Sequence, residues 1–210
     1  MPIETTLTLY TYDELSSNAK EVAKDWYREC LDETDYESTI DDFINVAKLL
    51  GFEMKTRTVE LMSGKTRQDP CVWYSVAYCQ GDFAAFDGHY RYAKGTLKAI
   101  REYAPIDTAL HGLAERLQEM QKASFYQLCG TVSHHHYYGI QTELVRKTRD
   151  DELAASSEAE SAFNEIVKDL CRWLYRQLRT ETEWLTGDEN IADVMQANEY
   201  TFREDGRREG

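Results

Sequence analysis

The sequence predicts an α+β protein: one domain, residues 1–210, built on an antiparallel sheet made of hairpins and covered by helices. Strand-like segments come in adjacent pairs separated by turn residues, which favours hairpins. Helical segments also come in pairs, so strands and helices do not alternate singly as they would in a doubly wound sheet. No Pro/Gly-rich linker and no internal repeat divides the 210 residues, of which only 14 are Gly or Pro.

Taken in order, residues 3–10 (IETTLTLY) alternate as an edge strand does. Leu15, Ala19, Val22, Ala23 and Trp26 recur at helical spacing, giving a helix over 14–30 capped by Thr11 or Asp13. Asp32-Glu33-Thr34-Asp35 is an acidic connector to a second helix, about 36–50, which Gly51 ends. The middle of the chain is β-rich. Residues 52–62 alternate weakly, 64–70 read as a loop, 71–79 (CVWYSVAYC) are the strongest strand, and 83–92 (FAAFDGHYRY) return as its hairpin partner. Gly88 in that partner marks a bulge or a close approach. Helices are expected over 93–103 and, capped by Asp107, over 108–123. A further hairpin spans 125–136 and 138–146. The polar stretch 149–161 reads as a loop or an extended helix start, followed by a long helix to 185, a short one from Asp188 to about Ala197, and a last strand at 199–203.

Charge is unevenly distributed. Residues 1–42 carry net -9, residues 43–148 net +3 and residues 149–210 net -8, so acidic helical ends flank a mildly basic, β-rich middle at 52–148. The overall charge of -14 argues against nucleic acid or an anionic membrane as direct partner and favours a basic protein. Glu21, Asp25 and Glu29 stand at i, i+4, i+8, about 6 Å apart on one helix face. Asp32, Glu33, Asp35, Glu37, Asp41 and Asp42 extend that field, which is either a partner-binding surface or a solvated face.

No apolar run approaches the roughly 20 residues of a membrane span, and Met1-Pro2-Ile3-Glu4 has no signal-peptide character, so the expected compartment is the cytosol. Five cysteines, Cys30, Cys71, Cys79, Cys129 and Cys171, sit in apolar patterns and read as reduced core thiols. No P-loop, GxGxxG or GxSxG elbow occurs, and no cofactor is expected. The run His134-His135-His136 offers the one metal-like pattern. His134 and His136 would share a strand face, with His89, Asp87 or Asp82 as a third ligand, but no ligand-spacing motif accompanies them. Fourteen tyrosines, several in pairs, suit either an interface or a core with polar rims.

The blocks YTYDELSSNAKEVAKDWYRE, CQGDFAAFDGHYRYAKGTLKAIREYAP, FYQLCGTVSHHHYYG and LYRQLRTETEWLTGDENIADVMQANEYTFREDGR occur in that order across nearly the whole chain. Together they resemble a family of uncharacterised phage and prophage proteins often labelled antitoxins of toxin–antitoxin systems. The resemblance implies counter-defence: an acidic protein that inhibits a bacterial defence or nucleic-acid-handling protein in the manner of an anti-CRISPR. The acidic helix faces would act by occupying a groove meant for nucleic acid. Duplex DNA itself presents one charge per ~1.7 Å of axis. Two alternatives stand beside this expectation: an antitoxin that sequesters a toxin, and a metal-dependent enzyme using His134 and His136.

Overall fold

A computed structural model describes residues 7–31, 36–76, 81–135, 139–149 and 151–208. The chain is α+β, and every pairing among the described strands is antiparallel. Its contacts gather into two compact units, Met1–Glu37 with Arg179–Gly210 and Ser38–Leu178.

The larger unit holds α2 (Glu37–Leu50) from its second residue, β2 to β10, α3 (Thr96–Tyr103), α4 (Thr108–Ala123) and most of α5 (Ser157–Leu185). Its main sheet runs β10-β9-β8-β7-β2, from Glu152–Ala154, Gly139–Lys147, Leu128–His135, Gly88–Arg91 and Phe52–Met54. Period-two alternation gives this sheet two unlike faces. Phe52, Tyr90, Gly130 and Leu144 fall in register on one side, and the ring of Phe163 from α5 lies against Phe52 and Tyr90. A Cβ at Gly130 would come within 2.7 Å of Phe163, so only glycine lets the helix pack this close. The opposite face carries the row Glu53, His89, Thr131, Glu143 and beside it Arg91, Cys129 and Val145.

Three further strand pairs explain where sequence pattern and structure part. The expected strand 83–92 is two strands, β6 (Phe83–Phe86) and β7, which pair with different partners. Residues 52–62 likewise divide into β2 and β3 (Thr56–Glu60). The expected loop at 64–70 contains strand β4 (Thr66–Pro70), which pairs with β3 and runs on towards β5 (Val72–Ser75). The three breaks, at Lys55, Cys71 and Asp87, meet in a ring of backbone hydrogen bonds. Lys55 N–H donates to Asp87 O, Asp87 N–H to Cys71 O, and Cys71 N–H to Lys55 O, all at 2.8–2.9 Å. Each strand can therefore change partner without leaving a buried peptide group unpaired. Gly88, next to the break, makes the close approach its position suggested: a Cβ would meet Glu53 O at 2.9 Å.

Helix boundaries follow local chemistry. Asp107 caps α4 as expected, accepting the Leu110 N–H. Gly51 ends α2 at φ +94°, where a Cβ would strike the Arg91 carbonyl oxygen at 2.2 Å. In the stretch 149–161, α5 begins at Ser157, the extended helix start that is one of the two expectations, whereas β10 adds an unexpected strand to the sheet edge.

The smaller unit joins the two ends of the chain. β1 (Tyr10–Thr11) pairs with β11 (Thr201–Phe202), and α1 (Ser17–Glu29) packs with α6 (Asp188–Ala197). The cap of α1 is Ser16, which accepts the Ala19 N–H, while Thr11 instead closes a short 3-10 turn with Glu14. Gly187, not Asp188, precedes α6. The core is Tyr12, Leu15, Ala19, Ala23, Ile191, Met195 and Phe202, with Trp26, Tyr27 and Tyr200 at its rim. Residues 3–6 of the expected first strand lie outside the described residues.

Candidate protein-binding surface

Burial of Ala19 and Ala23 against Ile191, Met195 and Phe202 fixes which side of α1 faces out. Glu21, Asp25 and Glu29 are all exposed on the side that remains. They are not a bare row of charges. Lys24 Nζ donates to Glu21 and to Asp188 at 2.8 Å each, and Arg28 pairs with both Asp25 and Asp188. Two bases thus bridge three acids, with Asp188 as the hub, and Glu29 stands beside them. The Lys24 ammonium bonded to Asp188 holds that carboxyl below the usual aspartate range, and the same bond raises Lys24.

Sequence spacing missed Asp188, which reads as a helix cap; its partners lie some 160 residues away in the chain. Glu37 is exposed at the start of α2, and Asp41 and Asp42 are exposed further along it. Asp42 accepts a hydrogen bond from Tyr103 on α3. Asp32, Glu33 and Asp35 lie outside the described residues.

The outer parts of the two acidic ends, residues 1–37 and 179–210, form one unit, whereas Asp41 and Asp42 belong to the larger one. The smaller unit carries 19 acids against 7 bases, and the larger unit 19 against 17. Of the net charge of -14, -12 therefore belongs to the smaller unit.

The described members of the metal pattern do not come together. His89 is exposed on the open face of the sheet, opposite Thr131. His134 is on the other face, its ring stacked on Phe83 at 5.1 Å, and its N–H donates to Asp87. His136 lies outside the described residues. Asp82 accepts from Tyr175 and Ser75. Among the described residues no group of three or more His, Cys, Asp or Glu is placed to hold a metal ion.

The thiols divide. Cys71 and Cys171 are buried, and burial pushes the Cys171 thiol up to about 12, which makes it inert. Cys30 is exposed just past α1, and Cys129 is half-buried on the open sheet face, so neither is a core residue. Cys129 follows the buried Leu128, but its own side chain points to the other face, and Cys30 follows Arg28 and Glu29 at the helix end. Cys79 lies outside the described residues.

Fold and surface together define an α+β protein with one strongly acidic unit and one nearly neutral unit. Residues 36–188 match the family model described as Domain of unknown function (DUF8835). The match covers well over half of the chain, which therefore belongs to that family. It takes in the whole larger unit, whereas α1 and most of α6 lie outside it. Neither the curated proteins nor the solved structures yielded a match. No described helix is long and apolar enough to cross a membrane.

Proposed function

We propose that this chain is an inhibitory binding protein whose acidic unit docks on a basic, nucleic-acid-handling surface of another protein and competes there with nucleic acid. The observation that carries this reading is the gathering of residues 1–37 and 179–210 into one unit of net charge -12. Charges brought within a Debye length of one another add their fields, and such a field steers a basic partner. The phage resemblance makes a bacterial defence protein the natural target, met in the host cytosol. Lys24 and Arg28 shape the surface as well as offsetting it, because they hold Glu21, Asp25 and Asp188 in fixed positions. The same unit exposes Val22 and Trp184, apolar contacts that a toxin-sequestering antitoxin would also use.

The test is capture from a bacterial lysate on immobilised protein, elution by a salt gradient, and identification by mass spectrometry. A captured basic protein should lose its nucleic-acid binding when this chain is added. The triple variant Glu21→Gln, Asp25→Asn, Glu29→Gln should release it at lower salt and inhibit less. If inhibition by that variant is undiminished at physiological salt, charge mimicry is wrong. Capture of a toxin encoded beside this gene, held by Val22 and Trp184, would select the antitoxin reading.

A further inference from the structure

At one end of the five-stranded sheet, three chain segments meet where β7 ends, β8 begins and β9 ends. They bring Tyr92, then Lys122 to Gln127, then Arg146 into one neighbourhood, while Arg91 belongs to the opposite, open face of the sheet beside Cys129. Tyr92 packs on Tyr126 with ring centroids 4.6 Å apart. The Arg146 guanidinium lies over Phe125 at 5.3 Å and donates to Gln127 at 2.8 Å. The Lys147 N–H donates to Gln127 O.

Two features of this place are unusual. Phe125 and Tyr126 are consecutive residues at φ +55° and +61°, in the left-handed region that L side chains avoid. Glycine would serve the turn better, yet the chain spends two aromatic residues here. The turn holds the rings outward: Phe125 is 71% exposed and Tyr126 44%. The second feature is charge. In an acidic protein, Lys122 is exposed and pairs with no acid among the described residues. Arg146 is turned onto an aromatic ring rather than a carboxylate. Lys147 alone pairs with an acid, Glu152 at 3.1 Å.

We propose that this end of the sheet binds single-stranded nucleic acid, with bases stacked on Phe125 and Tyr126 and phosphates held by Lys122 and Arg146. Exposed rings interleaved with cations are the chemistry of single-strand recognition, because every base offers a flat face and every nucleotide a phosphate. An acidic peptide would satisfy the cations and leave the rings unused. The site lies wholly in the larger unit and is independent of the acidic surface. It also departs from the expectation drawn from the overall charge, which averages over a locally cationic end.

The test is fluorescence anisotropy of a labelled oligothymidylate titrated with the full-length chain at several salt concentrations. Saturable binding is expected, with log affinity falling against log salt at a slope of about -2 for two to three phosphate contacts. Phe125→Gly should weaken binding about tenfold. The same change relaxes the left-handed backbone, so its thermal midpoint should equal or exceed that of the unaltered protein. Loss of binding then cannot come from loss of the fold. Lys122→Glu with Arg146→Glu should abolish binding and remove the salt slope. The triple acid variant of α1 should keep it, which separates this site from the protein-docking surface. No anisotropy change at low salt overturns the proposal. So does binding that survives Phe125→Gly, or binding displaced equally well by polyglutamate, which would point to an acidic protein partner instead.

Discussion

Replacing Gly206 by alanine should loosen the acidic unit. Gly206 has φ +86°, and a Cβ there would lie 2.1 Å from the carbonyl oxygen of Ala19, with two more Ala19 backbone atoms within 3.0 Å. These are backbone atoms of α1, so no rotamer change relieves the contact, and the tail must lift by ~1 Å or more to reach van der Waals distance. Overpacking of this kind costs about 1–3 kcal/mol, and the left-handed conformation adds about 1 kcal/mol for an L residue. The loss is bounded by what the tail contributes, since the tail can detach instead. Its visible contribution is Arg208, whose guanidinium lies 4.9 Å from the Trp26 ring and 4.1 Å from that of Tyr200. Two cation–π contacts and the apolar area beneath them amount to about 2 kcal/mol. That ceiling is the expected cost. Native-state hydrogen exchange of the α1 amides reads it directly, as a fall in protection of about 30-fold. Gly206→Asn separates the causes: asparagine tolerates positive φ but still carries the Cβ, so it should be nearly as damaging. Protection unchanged in the alanine variant, or restored in the asparagine variant, would refute the close-approach argument.

Gln121 is fully buried in α4, with its amide bonded to the Leu128 carbonyl and the Tyr90 hydroxyl and its oxygen accepting the Leu128 N–H. Gln121→Leu strands those groups and should cost about 3 kcal/mol, seen as a lower urea midpoint. For pH, Asp188 is depressed in the fold, so the stability it lends is present above the ordinary aspartate range. That stability is lost as pH falls through its lowered folded value. Asp188→Asn should flatten the acid limb of a pH–stability profile from the ordinary aspartate range downwards; an unchanged limb would mean other carboxylates dominate. Thiol labelling followed by peptide mapping should mark Cys30 first, Cys129 more slowly, and Cys71 and Cys171 only after unfolding. Early labelling of Cys171 would contradict its burial.

The helices were legible because their signals are local. The Asp107 cap, the Gly51 terminator and the stripe Leu110, Leu113, Ala114, Leu117 all act within one or two turns, and each stands where periodicity puts it. Strand partners were less legible. FAAFDGHYRY is one apolar run, and nothing within it marks Asp87 as the point where one partner is exchanged for another. That point is set by Lys55 and Cys71, distant in the chain, through backbone bonds that every sequence can make. β4 (Thr66–Pro70) and β10 (Glu152–Ala154) are strands with no buried residue, so alternation does not reveal them. Of the candidate site, the exposed acids of α1 were readable from i, i+4 spacing, whereas their hub at Asp188 was not.

By itself the sequence determined that this is an α+β protein, where its longer helices run, and that its charge concentrates at both ends. Those properties depend on composition and on neighbours within a few residues. Only the tertiary structure decided that residues 1–37 and 179–210 form one unit, that His89 and His134 face opposite ways across one sheet, and that Phe125 and Tyr126 are held outward with Arg146 laid on Phe125. Each of these is a pairing between distant segments. Its free energy comes from burying Ala23 under Ile191 or Phe52 under Phe163. No local pattern records which distant surface will do the burying.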